Sequence, residues 1–173
     1  MIISVEQAKE LVDLSGWTEK KIQMKLDAIE SVIRKYTHNN FQNRALRADC
    51  SIIATKIYGK IPGLKVGDTI EINESWFSDG LHVVEAIEDV YITVDSQLLD
   101  EPHALVTKVE YPADVVECAV DLLEWSVNYG GKVGIKSETL SRHSVTYEDS
   151  ATLFMGYPTG VLNGLKLHMK ARF

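Results

Sequence analysis

The chain is short of the features that mark specialised protein classes. It has two cysteines, Cys50 and Cys118, in 173 residues. They are far apart and have apolar neighbours, so a disulfide framework is excluded. Reduced, buried thiols in a cytosolic protein are expected instead. Four prolines and eleven glycines are too few for a collagen-like or low-complexity chain. Basic charge is also scarce. Lys and Arg number 18 against 25 Asp and Glu, a formal net charge of −7. A protein that tracks phosphates needs clustered Lys and Arg, so a gripping nucleic-acid binder is disfavoured. A protein that surrounds DNA without holding it stays allowed. No run reaches the ~20 apolar residues of a membrane span. The longest candidate, residues 115–127, is broken by Glu117, Asp121 and Glu124. The first residues, MIISVEQAKE, have no apolar core of the signal-peptide kind, so no secretion signal is expected.

Catalytic signatures are missing as well. There is no GxxxxGK[ST], GxGxxG or GxSxG. The five histidines (His38, His82, His103, His143 and His168) are scattered, with no HxH or HxxxH pair, so no metal is expected. Asp95, Asp100 and Glu101 lack the spaced Asp/Asn-Gly loop of an EF-hand and fit a polar turn. Ser144 follows His143, but adjacent residues on an extended segment point to opposite sides. No cofactor and no enzymatic activity are expected.

What is present is ordinary globular material, 45% hydrophobic and 25% charged. Ser4 and Gln7 form a capping-box pattern for a short helix to about residue 14. Thr18 caps a longer helix to about residue 36. Its stripe of Ile22, Leu26, Ile29, Ile33 and Tyr36 recurs every three or four residues, and an intramolecular core is the favoured reading. Asn39 and Asn40 then stop the helix. From about residue 51 to 111 the period shortens. Five runs (SIIATKIYG, DTIEIN, LHVVEAIE, VYITVD and ALVTKVEY) are rich in Ile, Val, Thr and Tyr and punctuated by turn residues. Pro112 opens a third helix, apolar on most sides, which Gly130-Gly131 closes.

The expected fold class is α+β. A small helical bundle carries an inserted small antiparallel β-barrel-like domain, SH3- or OB-like, and an extended C-terminal arm. The boundaries are 1–48 for the first helices, 49–111 for the β domain, 112–131 for the last bundle helix and 132–173 for the arm.

Two segments stand out as candidate sites. The loop NESWFSDG carries Trp76 and Phe77. These rings suit an interface anchor or a lid on the barrel core. Stacking on a base is the weakest reading, since no basic cluster is near. The second segment is the arm. Residues 139–147 favour an extended strand without a clean apolar face, which suits main-chain pairing to a neighbour's edge. Gly156-Tyr157-Pro158 reads as a turn with an exposed aromatic. Leu162, Leu165, Met169 and Phe173 follow at helical spacing. Ordering each residue costs roughly 1–2 kcal/mol of backbone entropy, and each buried Leu, Phe or Met returns about 1.5–3 kcal/mol. The arm is therefore expected to become ordered only on a partner.

The arm, GIKSETLSRHSVTY…GYPTGVLNGLK…ARF, and the segment IRKYTHNNFQNR resemble the head–tail connector (adaptor, or head completion) proteins of long-tailed bacteriophages and prophages of Gram-positive bacteria. The two ends of the chain carry the match, and the β domain departs from the shortest family members. The resemblance implies a structural protein of the virion neck, assembled in the host cytoplasm. It implies a homo-oligomeric ring, a dodecamer, beneath the portal protein. Double-stranded DNA would pass through the lumen without specific binding, and a stopper or tail-completion protein would attach below. It also implies that Arg142, Ser144, Tyr147, Gly156, Tyr157, Pro158, Leu165 and Phe173 contact the portal or a neighbouring subunit. A neck stopper or tail-completion protein is the nearest alternative. A nucleic-acid-binding module built on the small barrel is the alternative from another class.

Overall fold

A computed structural model describes residues 1–130, 137–140, 143–146 and 153–171. The chain divides into two compact units. One holds Met1 and residues 40–111, the other residues 2–39 with 112–173.

The first unit is a closed barrel of six antiparallel strands: β1 (Gln42–Ile53), β2 (Lys56–Tyr58), β3 (Thr69–Asn73), β4 (Gly80–Ile87), β5 (Tyr91–Val94) and β6 (Glu101–Val109). Around the wall the order is β1-β2-β5-β4-β3-β6, and β6 closes on β1. Closure removes the open sheet edges that would otherwise pair with other chains. Strand β1 is long enough to serve both neighbours. Its end pairs with β2 (Ile52 opposite Ile57), while most of its length pairs with β6 (Ala48 opposite Val106). Register shifts at Gln42/Arg47 and Cys50/Ile52 mark where it departs from a regular ladder. Alternation sends Cys50, Ile52, Ile57, Ile70, Ile72, Val84, Ile92 and Val106 into one core.

Sequence reasoning placed the β domain at residue 49 with five strands. The structure starts the barrel unit at residue 40, with the first strand at Gln42, and builds six strands. The segment QNRALRADC hides its strand character because its inward positions Leu46 and Ala48 are only partly buried.

In the second unit, α1 (Val5–Leu11) has the full capping box. The Ser4 hydroxyl accepts from the Gln7 amide, and the Gln7 side chain accepts from the Ser4 amide. Helix α2 (Glu19–Thr37) is capped by Thr18 and ends at His38 in the left-handed region, φ 51°. That makes His38 a turn residue, as its sequence context suggests. Ile22, Leu26, Ile29, Val32 and Ile33 are buried, so the stripe on α2 is core. Helix α3 (Ala113–Tyr129) follows Pro112 and buries Val115, Cys118, Ala119, Leu122, Leu123 and Ser126. Among the described residues, no helix is long and apolar enough to cross a membrane.

The C-terminal segment departs most from expectation. Strands β7 (Ser137–Leu140) and β8 (His143–Thr146) pair with each other, Ser137 opposite Thr146. They form a ribbon within the chain, where a single strand for a neighbour's edge was expected. Further on, β9 (Leu153–Phe154) and β10 (Tyr157–Pro158) turn through Gly156 at φ +85° into α4 (Thr159–Leu162) and a 3-10 segment, Asn163–His168. This stretch packs at home. Leu162 is fully buried, Leu165 is 1% exposed and Tyr157, expected to be exposed, is 7% exposed. The Tyr157 ring lies 5.9 Å from that of Trp125, and the Phe154 ring meets Tyr36 edge-on at 5.4 Å. Polar ties add to the packing. Tyr36 donates to Asn163 (3.2 Å), Asn39 to the His168 carbonyl (3.1 Å) and the Lys170 amide to the Thr37 carbonyl (2.8 Å). His168 pairs with Asp114 at 2.6 Å. The entropy cost of ordering this stretch is offset within the chain, because its apolar groups have a local partner. Helices α2 and α3 supply one.

Candidate functional site

The loop joining β3 to β4 is built around a buried carboxylate. Glu101, at the start of β6, is 3% exposed. Its Oε2 accepts from the Trp76 amide (2.6 Å), and its Oε1 accepts from the amides of Phe77 (2.9 Å) and Ser78 (3.1 Å). Burial, the largest single influence, pushes this carboxyl up. The hydrogen bonds from the Trp76, Phe77 and Ser78 amides and the Ser78 side chain more than offset it, and the net direction is down. The group is thereby held as the charged acceptor that the three amides require.

Further bonds close the turn. Asp79 accepts from both the amide and the hydroxyl of Ser75 (2.9 and 2.7 Å), and the Ser75 hydroxyl accepts from the Ser78 amide (2.9 Å). Glu74 enters at φ 60°. With its amides committed inward, the loop turns its two large side chains out. Trp76 is 75% exposed and Phe77 73%. Of the three readings open from the sequence, a lid on the barrel core is therefore excluded. Both rings are left in solvent.

Two more exposed apolar side chains belong to the same end of the barrel. Leu99 is tied to the loop by its amide, which donates to the Ser78 hydroxyl (3.3 Å). Ile53 opens the β1–β2 turn, where Ala54 and Thr55 both have positive φ, and the Ala54 amide donates to Asp100 (2.6 Å). Asp100 and Glu101 thus anchor three segments that present Ile53, Trp76, Phe77 and Leu99. Glu74, Asp79 and Asp100 are exposed acidic side chains around them, and one lysine, Lys56, stands opposite Ile53 with its ammonium over the Tyr91 ring at 4.0 Å. His103 bridges Asp49 (2.7 Å) and Glu74 (3.5 Å). The hydrogen bond to Glu74 and the charge of Asp49 raise its pKa.

A second feature lies on α2. Thr18, Lys20, Lys21, Met24, Lys25 and Ala28 line an open groove of about 430 Å³ on the face away from the buried stripe. Met24 is its exposed apolar centre, and three lysines surround it. Lys21 lies over the Trp17 ring at 3.9 Å, and Lys25 is 5.6 Å from the Tyr157 ring.

Of the residues singled out from sequence, Trp76 and Phe77 form one exposed site. Tyr157, Pro158 and Leu165 are buried in their own unit, and Gly156 is a turn residue. These four belong to the fold of that unit. Ser144 lies in β8, and Arg142, Tyr147 and Phe173 lie outside the described residues. Sequence reasoning missed Glu101 as the organiser of the loop, because its partners are 23 to 25 residues away. The groove on α2 was visible only as lysines outside the apolar stripe. Among the described residues no cluster of His, Cys, Asp or Glu is placed to hold a metal ion. Both cysteines are free and buried. No family model matches this chain, and no curated protein gives a significant match to it.

Proposed function

We propose that this chain is a structural assembly protein without enzymatic activity: a head–tail connector subunit that forms a ring under a portal protein. The ring would extend the DNA channel and offer a platform to a stopper or tail protein. The observation that carries the reading is the Trp76–Phe77 loop. Two large rings are held in solvent by three main-chain hydrogen bonds to one buried carboxylate. A rigid aromatic pair loses little side-chain freedom on docking, which is what a protein–protein anchor requires. The acidic balance agrees with a channel that DNA slides through, since a wall of like charge repels phosphates.

The test is co-purification of the full chain with the portal protein encoded in the same genome, followed by electron microscopy. A ring of added density on the portal is expected. Trp76→Ala/Phe77→Ala should lose the ring while keeping a folded barrel. A portal that never retains the wild-type chain would overturn the reading.

A further inference from the structure

The acid-rimmed apolar patch and the lysine-rimmed apolar groove are complementary in shape class and in charge, and both belong to the same chain. We infer that the Trp76–Phe77 loop of one copy docks into the α2 groove of the next. The inference deepens the proposed ring by naming the contact between its neighbours.

The patch presents convex rings from an anchored loop, with Glu74, Asp79 and Asp100 around them. The groove presents Met24 and Ala28 between Lys20, Lys21 and Lys25. Sulfur against an aromatic edge is a favourable contact. An ammonium over an indole face is another, and Lys21 already makes such a contact with Trp17 at 3.9 Å. The opposite rims add attraction and fix the register. Because patch and groove are different surfaces, each copy offers one of each. Repeated head to tail, such a contact closes into a ring or runs on as a filament, whereas a two-fold dimer would have to make it twice, reciprocally.

Mixed disulfide trapping tests this directly. One full-length variant carries Phe77→Cys and a second carries Met24→Cys, so no single chain can close the bond on itself. The native thiols interfere little. Burial, aided by Asp49, pushes Cys50 up to about 11, and burial, aided by Asp121 and Asp114, pushes Cys118 up to about 12. Under mild oxidation the mixed dimer should form at least tenfold faster than either same-variant dimer. The rate should fall several-fold when salt is raised enough to screen the rims. Mixed dimer at only the rate of the same-variant dimers would overturn the inference. A second measurement uses two complementary defects, Trp76→Ala/Phe77→Ala and Lys20→Glu/Lys21→Glu/Lys25→Glu. Neither variant alone should assemble, and their mixture should stop at a 1:1 dimer. Larger assemblies from the mixture would also overturn the inference. If the portal binds the wild-type chain but trapping fails, the contact is wrong and the connector reading survives. If trapping succeeds and the portal does not bind, the reverse holds.

Discussion

Replacing Leu165 by alanine is the sharpest test of how the C-terminal segment behaves. The side chain is 1% exposed, in a 3-10 segment that packs on α2 and α3. Removing a buried leucine side chain costs about 2–5 kcal/mol, set by how far the site collapses. A domain of this size is stable by about 5–15 kcal/mol in total. With a urea dependence of about 2 kcal/mol per molar, the midpoint should fall by about 1–2.5 M. Far-UV circular dichroism reports the helices, and Trp125 fluorescence reports its contact with Tyr157. Leu167, two residues on and 94% exposed, is the control. Leu167→Ala should stay within about 0.5 kcal/mol of wild type. A segment that is ordered only on a partner would give the two variants equal, near-zero effects. That result would refute the packing described for residues 153–171.

Three other outcomes follow from the same geometry. A Cβ added at Gly59 would sit well inside van der Waals contact of the Cys50 sulfur. Gly59→Ala should destabilise the barrel by about 1–3 kcal/mol. Cys50→Ala should recover part of that loss in a double-mutant cycle by urea titration. The His103 pKa is raised above its ordinary 6.5 by Glu74 and Asp49. Its contribution to stability is therefore full below about 6.5 and is lost as pH rises through the folded value. The urea midpoint of the barrel should fall between pH 6 and pH 9, and His103→Gln should flatten that slope. Cys50 and Cys118 should resist a thiol reagent at pH 8 in the folded protein, and both should react once urea unfolds it.

The helices and the existence of a small barrel were legible because their signals are local. Ser4 and Thr18 announce helix starts, the α2 stripe repeats at helical spacing, and VYITV alternates, whereas DTIEI alternates in sequence only, since Thr69 and Glu71 are buried along with Ile70 and Ile72. The start of β1 was not legible. Its first half has inward positions that are only partly buried, so the alternation is muted. The C-terminal stretch was misread for another reason. Its apolar residues recur at helical spacing, but the surface that buries Tyr157 and Leu165 includes α3, which ends 28 residues before Tyr157. The exposed rings of the loop were legible as candidates. Their rigidity was not, since it rests on Glu101, whose side chain reaches across the barrel end to Trp76.

The most direct measurement of the central claim is electron microscopy of portal rings incubated with the wild-type chain and with Trp76→Ala/Phe77→Ala. A closed ring of added subunits with the wild-type chain, absent with the variant, is the predicted result. Equal decoration of the portal by both proteins, or by neither, would contradict it.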